Sequence, residues 1–171
     1  MTVVAYLAEL CRLYVSITLA AAALGKATDV PMFGATIRQL SGFPSRMANL
    51  VACFVIGIEA AISASLLLGG DWARFGMAAA VVLISIFSAV IVRALAKGER
   101  VTCNCFGSRG QRMSVHDLAR NGFLVAAGGF YLLKEPGSLT LAAAGSLSGI
   151  ALILFLISSH LREISSLIRS T

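Results

Sequence analysis

Five times along this chain, apolar residues run on for about the thickness of a bilayer. A hydrocarbon core is crossed by ~20 mostly apolar residues in a helix. The runs extend from about Tyr6 to Gly25, Arg46 to Leu68, Trp72 to Val92, Leu118 to Leu133, and Leu139 to Ser158. The expected fold is therefore all-α, a polytopic transmembrane helix bundle of about five spans. A four-span alternative would leave one short run on the surface. Residues 1–171 read as a single integral membrane domain. Composition agrees: 58% of residues are hydrophobic and 13% charged, against ~45–50% and ~25% in soluble domains. A soluble enzyme, a disordered chain and a nucleic-acid binder are all disfavoured. The residues before the first run carry no basic n-region, so the first span reads as retained.

The first connection has its own pattern. Asp29 and Pro31 mark a helix start, and Gly42 and Pro44 a stop. Phe33, Ile37 and Leu40 fall on one helical face between them, which predicts a short amphipathic helix lying at the interface.

The net charge is +6, and the basic residues are unevenly distributed. With five spans, one face receives Lys26, Arg38, Arg46, Arg93, Lys97, the arginines from Arg100 to Arg120, Arg162 and Arg169. The other receives Arg74 and Lys134, with Arg12 inside the first span. Basic loops stay in the cytoplasm. This predicts a multi-pass protein of the cell (inner) membrane, with its N-terminus outside and the 97–116 loop on the cytoplasmic face.

That loop carries the chemistry. Cys103 and Cys105 are one residue apart and can close into a small, strained disulfide. A strained, exposed bridge is easily reduced and suits transfer better than stapling. Arg100, Arg109 and Arg112 flank the pair. Ser114-Val115-His116-Asp117 reads as a capping box opening the next helix, whose N-terminus points its dipole at the loop. Cations and helix N-termini favour thiolate, and His116 is suited to hold or move a proton near neutral pH. The competing use of the same atoms is a soft-metal site of Cys103, Cys105 and His116. A structural zinc site wants a fourth ligand, and none is evident.

Three further signals lie near or within the spans. Cys53, about two turns into the second span, is either a relay thiol or a small apolar residue. Arg12 and Glu59 are intramembrane charges, which usually pair or mark function. Counting from opposite ends of antiparallel helices places them in the same half of the bilayer and predicts an Arg12–Glu59 pair. Glu9, three residues before Arg12, is the rival partner. Arg120 and Asn121, at the mouth of the fourth span, read as an anchor for the cysteine loop.

The stretch Val101-Thr102-Cys103-Asn104-Cys105-Phe106-Gly107 resembles the C-x-C-F-G loop of the MauE family within the wider DoxX-like membrane proteins. Arg120-Asn121, Gly25-Lys26-Ala27-Thr28-Asp29, Gly42-Phe43-Pro44 and Glu59 fit the same pattern, over roughly residues 12–135. The resemblance implies a part in maturing a disulfide-containing partner such as a methylamine dehydrogenase subunit, beside a thioredoxin-like protein. Cys103 and Cys105 would exchange electrons with protein thiols. A quinone is compatible by analogy of fold alone, although the C-x-x-C of quinone-coupled enzymes is missing. Two other readings use the same loop: a non-catalytic accessory or assembly subunit, and a soft-metal carrier.

Overall fold

The computed structural model describes residues 3–97, 115–134 and 145–158. All regular structure among them is helical: α1 Val3–Ala27, α2 Val30–Ser41, α3 Ser45–Leu68, α4 Gly70–Ala96, α5 Val115–Leu133 and α6 Gly145–Ser158. The chain is an all-α membrane bundle. Helices α1, α3 and α4 are long and apolar enough to cross a bilayer. The 19 residues of α5 reach ~28 Å at 1.5 Å per residue, and its first turns carry His116, Asp117 and Arg120. Helix α6 is a shorter apolar helix inside the fifth expected run.

The helices outrun the apolar stretches that predict them. Helix α1 continues past Gly25 to Ala27, and α4 past Val92 to Ala96. A charge ends a hydropathy run, but it does not interrupt an i to i−4 hydrogen-bond ladder.

Helix α1 is the most enclosed of the three long helices and packs on both α3 and α5; α4 bridges α3 and α5. Buried Leu13, Tyr14, Val15, Leu19, Leu66, Met77, Ile84, Leu124 and Tyr131 form the centre, and Ala151 of α6 joins them. The outer surface is apolar as well: Leu50, Phe54, Leu67, Trp72 and Phe75 are all exposed. A bundle that is apolar inside and out is one solvated by lipid.

Lipid tails supply little hydrophobic drive between helices, so close backbone approach has to do the work. A Cβ on Gly76 would lie 2.0 Å from Ser65 Oγ, and one on Gly128 2.6 Å from Val81 Cγ2. Helices α1 and α3 are also sewn together. Ser16 Oγ donates to the Ser63 carbonyl at 3.1 Å, and Ser63 Oγ donates back to the Ser16 carbonyl at 3.0 Å.

Helix α2 forms where expected. Asp29 caps it by accepting from Met32 N–H at 3.1 Å, and Pro31 stands in the first turn, where no intrahelical donor is needed. Gly42 closes it with φ 74°, its N–H bonded to the Arg38 carbonyl at 2.8 Å. Phe33, Gly34 and Thr36 form the buried face against α3. Ile37 and Leu40 are only partly buried. Gly69 and Gly70, both with positive φ, reverse the chain from α3 into α4.

Antiparallel packing follows through the bundle. The C-terminal ends of α1 and α4 and the N-terminal ends of α3 and α5 share one end. The connection carrying Cys103, Cys105, Arg109 and Arg112 is therefore tethered to that end by Lys97 and Val115. Its own residues lie outside those described.

Candidate functional site: a buried charge cluster

The heptad-like register of α1 places Leu19, Ala22, Ala23 and Lys26 on one buried face. In α3 the same spacing buries Ala52, Glu59, Ile62, Ser63 and Leu66. The two faces meet. Lys26 is 3% exposed and Glu59 1%, and the Lys26 ammonium donates to Glu59 Oε1. The ammonium also lies 5.4 Å from the centroid of the Phe33 ring and 5.1 Å from that of Phe87. Aromatic faces attract cations, most strongly when both are desolvated. Arg120 of α5 is near enough to act on Lys26 electrostatically, and Asp117 and Tyr14 act on Arg120 in turn. Helices α1 to α5 thus each supply a side chain to one polar centre. That centre lies in the half of the bundle that also holds the C-terminal end of α4 and the N-terminal end of α5.

The expected Arg12–Glu59 pair is replaced by two separate pairs. Arg12 Nε donates to Glu9 Oε2 at 2.6 Å, and Arg12 Nη1 donates to the Leu66 carbonyl. The reason is geometric. Ser16 stands level with Ser63, so Glu59 stands level with Ala20, about 12 Å along the axis from Arg12 at 1.5 Å per residue. Side chains on a helix also lean toward its own N-terminus. In antiparallel neighbours, Arg12 and Glu59 therefore lean apart, while Lys26 and Glu59 lean together. The sequence reading missed Lys26 because it follows Gly25 at the end of an apolar run. Its place seven residues after Leu19, in register with buried Ala22 and Ala23, is the signal that finds it.

The other expected site residues are distributed as follows. Asn121 is buried at 7% exposure, on the face of α5 that holds Leu124, Ala127, Gly128 and Tyr131. Arg120 is half-buried beside it, and His116 is exposed in the first turn of α5. Cys53 is a free thiol on the exposed side of α3, away from the centre, and Cys11 is free and half-buried. The Cys103/Cys105 pair, with Arg109 and Arg112, lies outside the described residues, as does most of the ligand set of the soft-metal alternative.

A second polar group closes the opposite end. Arg12 joins α1 to the Leu66 carbonyl of α3 there, and Tyr131 of α5 lies within electrostatic reach of Glu9, Arg12 and Arg74.

A profile of the family described as Methylamine utilisation protein MauE matches residues 4–134, from the start of α1 to the end of α5. The chain belongs to the MauE family. It is similar to a curated Methylamine utilization protein MauE of Paracoccus denitrificans, at 24% identity over 155 residues, covering 88% of this chain and 83% of that protein. No solved structure matches. The matched MauE region contains both polar clusters and the whole C-x-C connection, and it leaves α6 outside.

Proposed function

We propose that this MauE-family chain is a membrane thiol–disulfide exchange protein of methylamine utilisation. Its Cys103/Cys105 pair would pass two electrons to or from a disulfide-containing partner, such as a methylamine dehydrogenase subunit, with a thioredoxin-like protein as the other exchange partner. The observation that carries the proposal is the C-x-C pair on the α4–α5 connection of a chain that belongs to MauE. A thiolate of one dithiol attacks the disulfide of the other, giving a mixed disulfide and a released thiolate. The second thiol of the attacking pair then resolves it. One disulfide is reduced and one formed, so the exchange balances without a further oxidant. The more exposed, lower-pKa thiolate attacks first. Arg109, Arg112 and His116 would favour thiolate, and Arg120 and Asn121 would anchor the loop. The basic bias supports a loop on the cytoplasmic face of the cell membrane.

The test pairs function with trapping. A C103S/C105S variant that reaches the membrane at normal levels is expected to abolish thiol–disulfide exchange with the partner protein and so change the partner's thiol–disulfide state. Single C103S and C105S variants are expected to differ, one of them accumulating a mixed disulfide that resolves on adding a reductant. A partner whose thiol–disulfide state is the same with the double variant as with the parent chain would overturn the reading and leave the loop a docking element.

A further inference from the structure

Glu59 has two carboxylate oxygens in different situations. Oε1 accepts from Lys26. Oε2 is buried and has no hydrogen-bond partner among the described residues. An ionised oxygen left bare in a low-dielectric interior is costly, and polar groups inside a membrane are kept where they do something. The surroundings of Lys26 bear on the same point. An ammonium needed only to neutralise Glu59 would have no use for two aromatic faces. With Phe33 and Phe87 against it, Lys26 keeps a stabilising environment when its carboxylate partner loses its charge.

We propose that Glu59 is a reversible proton-binding site inside the bundle, with Oε2 the atom that takes the proton. The step is a protonation alone. A proton from water forms the Oε2–H bond, and Glu59 becomes a neutral carboxylic acid. Oε1 continues to accept from Lys26, whose charge is then held by the two rings. The return step gives the proton back to water. Helix α1 brings Lys26, whose charge acts directly on Glu59. Helix α5 brings Arg120, which acts on Lys26 and is itself accompanied by Asp117 and Tyr14. Helix α2 presents Phe33 and keeps Arg38 exposed; α4 presents Phe87 and keeps Arg93 and Lys97 exposed. The site lies toward the end of the bundle where α1 gives way to α2, enclosed by these side chains. Thiol exchange at that end consumes and releases protons, and a carboxyl that stores one would serve it. The proton site itself does not depend on that reading.

Infrared difference spectroscopy tests it, on the full chain in lipid nanodiscs taken from high to low pH. A C103S/C105S background keeps the result independent of the redox reading. The expected result is one component of the protonated-carboxyl region that grows as pH falls, missing in Glu59→Gln and retained in Glu9→Gln, over the bands of the other seven acidic residues common to parent and variant. Circular dichroism checks that each variant stays helical. If Glu59→Gln fails to fold, Glu59→Asp is the substitute and is expected to move the frequency of that band. Lys26→Met is expected to shift its midpoint. A parent spectrum identical in this region to that of Glu59→Gln, or a component unmoved in Glu59→Asp, in helical chains would overturn the proposal.

Discussion

Lys26 and Glu59 illustrate how strongly a bilayer constrains single residues. Each is almost wholly buried, and each makes the other tolerable. Removing one partner of a buried pair costs about 3–5 kcal/mol, whereas replacing both with apolar residues of similar volume is often nearly neutral. Glu59→Ala is therefore expected to lower resistance to denaturing detergent sharply, and K26M/E59L to recover most of the loss. A double-mutant cycle on helicity against detergent fraction measures this; a double-variant loss equal to the sum of the two single losses would mean the pair contributes nothing by pairing. The serine crosslink is a smaller matter. S16A/S63A removes two reciprocal bonds between α1 and α3, and interhelical bonds in membranes average ~0.6 kcal/mol each. Its detergent midpoint should fall measurably but by much less than that of Glu59→Ala.

At the level of helices, packing depends on where a side chain is missing. Gly128→Leu would drive atoms into Val81 and Met77, while a side chain at Gly57 meets nothing within 4 Å. Overpacking costs about 1–3 kcal/mol, so Gly128→Leu should loosen α5 from α4 and Gly57→Leu should be neutral, read as detergent midpoints. Helix α2 is expected to respond to its cap. Asp29→Ala gives up the bond from Met32 N–H, at about 1 kcal/mol, and faster amide exchange confined to residues 30–41 is the check. These elements were largely legible in the sequence. The Asp29–Pro31 start and the Gly42 stop of α2 are local chemistry, and they lie where the residues say. The ends of α1 and α4 were not, because hydropathy runs stop at a charge and backbone ladders continue. The partner of Glu59 was not either. Axial depth and the lean of side chains along antiparallel helices decide it, and neither can be counted from a single run of letters. The pairing of Arg12 with Glu9 was open to reading, since three residues on one helix need no knowledge of a neighbour.

For the molecule as a whole, both charge clusters join elements far apart in the chain, and orientation can be measured on exposed positions at its two ends. Ser41 and Asp71 are both exposed, at opposite ends of the bundle. In a background with the native cysteines replaced by serine, S41C is expected to react with an impermeant maleimide only in opened membranes, and D71C in intact cells. The reverse pattern would place the C-x-C connection outside the cell and overturn the charge-based orientation. The link between Lys26 and Glu59 also has a bearing on how the protein is made. Translation delivers α1 to the bilayer well before Glu59 has left the ribosome. Until α3 arrives, Lys26 has no carboxylate and Arg12 only Glu9 of its own helix, so the first helix enters the membrane with Lys26 uncompensated. Its seating is completed only when the third helix comes in beside it, and a chain truncated before Glu59 and released from the ribosome should be extracted from membranes more readily than one truncated and released just beyond Gly70.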